Sequence, residues 1–277
     1  MYSVKILCDS SAPSGKRLTT WELTYPRFVH AELMTHRLFS RNSASSRAIP
    51  VEKFVERVKA DPAMPIFWGK HQAGMQAYKE LDENAKEEAE RLWLEARDQA
   101  LEFAEMLKNL GLHKQIVNRI LEPWLFITVI LSATEFDNFF HLRNHHAAQP
   151  EIAFIAKQMW HLYHAEQPRE VPEGAWHLPF VTAEERLGCD TDTLKKISTG
   201  RCARVSYLTH DGRRDLQKDI ELHDKLCAGP ATGEPGHWSP FEHVARALAE
   251  PTKSGNFIGW HQYRKDFPAE HYSKALL

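Results

Sequence analysis

Cations, hydroxyls and an amide gather in one run, Thr35-His36-Arg37-Leu38-Phe39-Ser40-Arg41-Asn42-Ser43-Ala44-Ser45-Ser46-Arg47. An arginine fork offers paired donors to a phosphate, and neighbouring serines and backbone N–H groups can complete a phosphate or pyrimidine pocket. The same run also reads as a solvated helix end followed by a polar turn. A second group, Asn138-Phe139-Phe140-His141-Leu142-Arg143, precedes Ala148-Gln149-Pro150-Glu151-Ile152 and adjoins the most apolar stretch of the chain. A cation at the edge of a core needs an acid or a ligand, and Glu135 and Asp137 are the nearby structural partners. Arg201-Cys202-Ala203-Arg204-Val205-Ser206-Tyr207 and His237-Trp238-Ser239-Pro240-Phe241-Glu242-His243 mix hydrogen-bonding groups with aromatics. A nucleotide or a flat redox ring would need such a mixture; a packed loop would show it too.

Together these segments resemble the flavin-dependent thymidylate synthase family. Its core pattern RHRxxSxNxxSxR is met from Thr35 to Arg47 at every fixed position but the first, where Thr35 replaces arginine. Its NFLxLRxxxxAQxEI segment is matched by Asn138 to Ile152, with Phe140 for leucine. ARVS is matched by Ala203 to Ser206, and H-x-[ST]-PFEH by His237 to His243. Its AR-x-x-LP element is similar to Asn118-Arg119-Ile120-Leu121-Glu122-Pro123, with an inserted glutamate. In the family the ARVS and PFEH segments come before the RHR motif; here they follow, so the resemblance implies a circularly permuted version of the fold. That fold is α/β (α+β), with helices packed on a mixed or antiparallel sheet, in a single catalytic domain over 1–277.

The resemblance also assigns roles. Arg47, Arg119 and Arg143 would hold a dUMP-type nucleotide, with Ser43 and Ser45 nearby and Glu32 at the nucleotide-facing end of its helix. His36, Arg37, Leu38, Asn138, Ser206, His237 and Ser239 would bind FAD. NADPH and methylenetetrahydrofolate would be co-substrates, and a homotetramer would place its sites between subunits. Departures are Thr35, Ser43 for the usual glutamate, Ala48 for a tyrosine, and Ser132 for an asparagine near FAD. Placing carbon on C5 of uracil requires electron density there. No cysteine has an activating context in the sequence, so a guanidinium that stabilises negative charge on the ring, Arg143, is the candidate catalytic group. No base is evident for Ser45 as a nucleophile. The alternatives are a hydroxymethylase or dCMP-modifying variant of the same family and, outside it, a nucleic-acid-binding protein using Arg37, Arg41 and Arg47.

Bulk properties narrow these choices. The 277 residues carry a formal net charge of -2, which argues against a polycation that binds nucleic acid through charge alone. Trp124 to Ala133 is too short to span a bilayer, and the N-terminus lacks a signal-peptide pattern. A cytoplasmic protein with reduced thiols is expected from Cys8, Cys189, Cys202 and Cys227, which form no CxxC pair. The 16 histidines show no metal-binding spacing.

Several elements must position these groups. Residues 1–25 read as extended, with a strand from Trp21 ended by Pro26. Apolar spacing predicts helices over 27–41, 74–109, 113–121, 135–146 and 149–165, with Gly111 and Pro123 as stops. β-branched and aromatic residues predict a strand over 124–133. Residues 166–195, rich in Pro and Gly, read as a linker or lid. Helices over 191–207 and 213–228 around a turn at His210-Asp211-Gly212, a strand over 242–250 and a short helix over 256–265 complete the expectation.

Overall fold

Two adjacent strands, β1 (Ser3–Ser11) and β2 (Arg17–Pro26), pair antiparallel through a tight turn. Gly15 makes that turn possible, with φ of +74°, a backbone region that side-chain-bearing residues avoid. The computed structural model describes residues 1–207, 215–227 and 236–270, so the turn expected at His210-Asp211-Gly212 lies outside the described residues. Strand β3 (Ser40–Ser43), β4 (Phe126–Ala133) and β5 (Arg169–Glu170) extend the sheet in the order β3-β4-β2-β1-β5. All its pairings are antiparallel except β1 with β5, so the sheet is mixed.

Alternation along β2 and β4 divides the faces of the sheet. Trp21, Leu23 and Tyr25 join Val129, Leu131 and Ala133 in the main core. Helices cover that face: α1 (His30–Met34), α2 (Val51–Ala60), α3 (Glu83–Asn109), α4 (Lys114–Val117), α5 (Asp137–Arg143) and α6 (Pro150–Ala165). Ile130 points the other way and packs on Cys202 and Val205. That second face is covered by a C-terminal layer. It contains α7 (Ala183–Gly188), α8 (Thr191–Arg204), α9 (Leu216–Cys227) and a three-stranded antiparallel sheet of β6 (Trp176–His177), β7 (Ala245–Ala247) and β10 (Trp260–Gln262). A hairpin of β8 (Lys253–Ser254) and β9 (Phe257–Ile258) accompanies it.

Five expectations need correction, the first being the strand over 242–250, which is a 3-10 turn as far as His243 followed by a strand of Ala245–Ala247 alone. The helix over 27–41 stops at Met34, and the chain turns at Thr35 to place Ser40–Ser43 in the sheet; pairing with β4 outweighs the local helical spacing. The long helix starts at Glu83, not at 74, because the Asp82 carboxylate caps it through Ala85 N–H. The helix expected over 256–265 is instead strands and a single 3-10 turn, with Gly255 and Gly259 at positive φ. Residues 166–195 are built into the fold. β5 pairs with β1, β6 with β7, α7 carries a capping box of Thr182 and Glu185, and His177 and Leu178 are buried. Among the described residues no helix is long and apolar enough to cross a membrane.

A buried ionic cluster fixes the C-terminal layer. Arg201 Nε donates to Asp219 at 2.8 Å and its terminal nitrogens donate to Glu185 at 2.7 and 2.8 Å. Arg204 Nε donates to the second oxygen of Asp219 at 2.6 Å. Gly200 lets α8 and α9 touch; a Cβ there would lie 2.2 Å from the Asp219 carbonyl oxygen.

Candidate functional site

The polar run after α1 is held in place by backbone acceptors and buried amides. Asn42 sits in β3 and is 8% exposed. Its Nδ2 donates to the Cys202 carbonyl at 2.7 Å, and its Oδ1 accepts from Ser206 Oγ at 3.2 Å and Ser239 Oγ at 3.5 Å. One amide therefore ties β3 to both C-terminal motif segments. Beyond β3 the chain folds into a turn. Asn118 Nδ2, fully buried, donates to the carbonyls of Ser46 and Ile49 at 2.7 and 3.0 Å. Lys114 Nζ donates to the Ala48 carbonyl at 2.8 Å, and Ser45 N–H to the Ser206 carbonyl at 3.1 Å.

This turn borders a cleft of about 320 Å³ lined by Arg27, His30, Arg41, Arg47, Arg119 and the hydroxyl residues Ser43, Ser45, Ser46 and Ser239. Four guanidinium groups surround it, and no carboxylate lines it. Glu122, at the edge, accepts from Arg27 at 3.0 Å and Arg119 at 2.9 Å and so neutralises one charge. Asn42, Ser45, Arg47 and Ser239 also line an adjoining cleft of about 390 Å³, which continues to Ser206, His237, His113 and Ala48. A concave cluster of arginine forks and hydroxyls whose charge is only partly compensated is suited to a phosphate-bearing ligand. Of the residues singled out in the sequence, Ser43, Ser45, Arg47, Arg119, Ser206, His237 and Ser239 are thus brought together.

A second cluster lies on α1 and α5. Arg143 Nε donates to His36 Nε2 at 2.9 Å, while its other nitrogens reach Glu32 Oε2 at 3.4 Å and Thr35 Oγ1 at 3.2 Å. Glu135 and Asp137, the structural partners expected for Arg143, are not its partners; Glu32 is. Because His36 Nε2 accepts, its ring proton sits on Nδ1, and burial beside Arg143 and Arg41 holds its pKa below the usual imidazole value. Burial raises the Glu32 carboxyl pKa while Arg143 opposes that rise. Arg37, Leu38 and Asn138 are exposed beside this cluster, and the side chains of Arg37 and Asn138 make no hydrogen bond or ion pair among the described residues. Glu32, His36, Arg37, Leu38, Asn138 and Arg143 do not line the arginine cleft of the same chain. Arg41 connects the two regions, with its Nη1 donating to the His36 carbonyl at 2.6 Å.

Other groups were not visible as site residues in the sequence. Arg27 and His30 line the cleft because a 3-10 turn, Arg27–Val29, leads from the end of β2 straight into α1, which only the three-dimensional path reveals. Ser132 is consumed in the core: its hydroxyl bonds Thr20 at 2.6 Å and His243 Nδ1 at 2.9 Å, and Thr20 bonds His177 at 2.8 Å. Complete burial drives both histidines down to about 3, so both are neutral. One cysteine has a histidine neighbour in space: His223 Nε2 lies 3.9 Å from Cys227 Sγ one turn away on α9. Burial nevertheless pushes that thiol up to about 11, so it is not an activated thiolate. No group of metal-ligating side chains occurs among the described residues.

No curated protein matches the chain. Among solved structures the fold is similar to that of the UMP/dUMP methylase PolB from Streptomyces cacaoi bound with 5-Br UMP, with 17% identity and a TM-score of 0.51 over 60% of this chain and 89% of that one. The same enzyme bound with 5-Br dUMP is similar at 16% identity and a TM-score of 0.50, over 60% of this chain and 91% of that one. The family profile described as thymidylate synthase complementing protein matches residues 18–169, just over half of the chain. That span runs from β2 into β5 and contains the turn after β3 and both arginine clusters, and the chain therefore belongs to the thymidylate synthase complementing protein family.

Proposed function

We propose that the protein is an enzyme that transfers a one-carbon unit to C5 of a dUMP-type nucleotide, as a flavin-dependent thymidylate synthase does. The observation that carries this reading is the cleft ringed by Arg27, Arg41, Arg47 and Arg119 with serines between them and no lining carboxylate. In it Arg47 and Arg119 bind the phosphate, Ser43 and Ser45 supply hydroxyl hydrogen bonds, and the adjoining space near Ser206, His237 and Ser239 receives the ring end of the ligands. The nucleotides named for the PolB structures, 5-Br UMP and 5-Br dUMP, are of the same chemical class.

Arg143, Glu32 and His36 do not line that cleft within one chain. We infer a homo-oligomer, a tetramer by family resemblance, in which a second copy brings this cluster to the pyrimidine. A guanidinium against the ring's oxygen and N3 edge stabilises the charge that makes C5 nucleophilic. Exposed Arg37, Leu38 and Asn138 offer an unpaired cation, an apolar surface and an amide, a fit for one wall of an FAD site. Bound FAD, with NADPH as reductant and methylenetetrahydrofolate as carbon donor, would supply the hydride and the carbon. The residues of this chain then bind, orient and polarise the nucleotide.

The test is direct. Purified protein should carry flavin absorbance near 450 nm, roughly where oxidised flavins absorb, and release tritium from C5-labelled dUMP, and Arg143→Ala should abolish that release while FAD stays bound. Mass analysis of products from dUMP and dCMP separates methylation from hydroxymethylation and fixes the base. Protein that binds no dUMP and releases no tritium refutes the proposal.

A further inference from the structure

One residue in the arginine cleft is held as an uncharged donor. Tyr25 is 2% exposed, its ring stacks on His30 with centroids 6.0 Å apart at 28°, and its hydroxyl lies 2.8 Å from His30 Nδ1. That is the phenol's only hydrogen bond among the described residues. If Nδ1 carried the imidazole proton, the buried phenol O–H would have no acceptor, which is costly. The phenol therefore donates to Nδ1, and the neutral ring carries its proton on Nε2. His30 lines both the arginine cleft and the neighbouring cleft formed with Arg119 and Glu122, and Nε2 makes no hydrogen bond among the described residues. The charged and titratable groups facing the ring are Tyr25 from β2, Arg27 just ahead of α1, Arg41 from β3 and Glu122 from the turn before β4. Burial, with Arg27 and Arg41 beside it, pushes His30 down to about 4, so it stays neutral at physiological pH.

We propose that His30 Nε2–H is a fixed, neutral hydrogen-bond donor to a phosphate oxygen of the nucleotide bound in the arginine cleft. The inference rests on the reading of that cleft as a nucleotide site and adds to it a specific contact. Guanidinium groups attract an anion from many directions, whereas a donor locked by a buried phenol selects one oxygen position. His30 thereby sets the register of the phosphate, and with it the distance from phosphate to ring that the site accepts.

Calorimetric titration of the full chain with dUMP, inorganic phosphate and deoxyuridine tests this. His30→Ala should weaken dUMP and phosphate about 10-fold, the scale of one hydrogen bond to a charged group, and leave deoxyuridine unchanged. His30→Gln, which keeps an N–H near the Nε2 position, should restore dUMP affinity to within about threefold of the wild type. Nitrogen NMR of the wild-type protein should show Nε2 protonated and Nδ1 unprotonated from about pH 5.5 to pH 8, a readout that does not depend on any variant folding. The inference is overturned if Nδ1 carries the proton, if His30→Ala binds dUMP like the wild type, or if His30→Gln is as weak as His30→Ala. Wild-type protein that binds neither dUMP nor phosphate overturns the nucleotide reading itself, a separate failure from wild-type binding that His30→Ala leaves intact.

Discussion

Replacing Asn42 with alanine isolates the joint between the sheet edge and the C-terminal segments. Its Nδ2 donates to the Cys202 carbonyl at 2.7 Å in a buried setting, and Cys202 lies in the last turn of α8, where carbonyls lack intrahelical partners. Removing the amide leaves that carbonyl unpaired, a loss of about 1–3 kcal/mol. The Ser206 and Ser239 hydroxyls, bonded to Oδ1 at 3.2 and 3.5 Å, are partly exposed, so water replaces the amide there at little cost. A net loss of about 2 kcal/mol corresponds to roughly 4–8 °C in melting temperature for a chain of this size. Asn42→Asp should be worse than Asn42→Ala, because it turns a carboxylate oxygen toward the Cys202 carbonyl. Urea unfolding with an unchanged slope, paired with dUMP titration, reads both stability and cleft registry. A loss below about 0.5 kcal/mol for Asn42→Ala, with dUMP affinity unaltered, would refute the role of Asn42 as the joint.

Gly200→Ala should destabilise by several kcal/mol or shift α9, since the new Cβ meets the Asp219 carbonyl oxygen at 2.2 Å; thermal melts and tryptophan fluorescence check this. Arg201→Ala removes three charge-assisted hydrogen bonds from a buried cluster but leaves Asp219 on Arg204 and Glu185 on the Thr182 N–H, so it should cost about 3 kcal/mol, the low end for breaking a buried pair, measured by denaturant unfolding. His177 and His243 have folded-state pKa values of about 3, below the ordinary 6.5. The unfolded chain therefore binds protons that the folded chain refuses: their contribution is intact above about pH 6.5 and is lost as pH falls toward 3, with a slope of at most about 3 kcal/mol per pH unit for the two. Unfolding free energies from pH 7 to pH 4.5 should show that slope, and His243→Asn, which can still bond Ser132, should reduce it by one proton.

The fold was legible where one signal dominated. The apolar, β-branched run before Ala133 became β4, and the Ala-, Glu- and Leu-rich stretch became α3, ended at Gly111 with its positive φ. Legibility failed where long-range pairing overruled local spacing. Phe39 fits a helical stripe, yet Ser40–Ser43 joins the sheet because β4 offers an open edge. Ala183–Gly188 is an ordinary helix inside a segment whose prolines and glycines suggest a linker, whereas the helix expected from Thr191 is present as far as Arg204. The site followed the same division. Arg47 and Ser45 are readable from their motif, and Arg119 from its neighbours. His30 carries no motif signal, since its importance comes from a phenol five residues earlier on the adjacent strand. Ser132, which the resemblance placed near FAD, is buried in a histidine network in space.

The position of β3 explains why one short strand organises so much of the cleft. An edge strand leaves half its backbone groups without a sheet partner. Here the 3-10 turn Ser239–His243 and the end of α8 cover that edge, with Asn42 bridging both. The chain leaving the strand can then present Ser45, Ser46 and Arg47 as a turn whose carbonyls are already committed inward to Asn118 and Lys114. With the acceptors turned inward, what remains facing the cleft is donors: hydroxyls, arginine forks and the His30 N–H. Repulsion among Arg27, Arg41, Arg47 and Arg119 is only partly relieved by Glu122. The fold supports that strain through the buried amides behind the turn, and an anion in the cleft would relieve the rest.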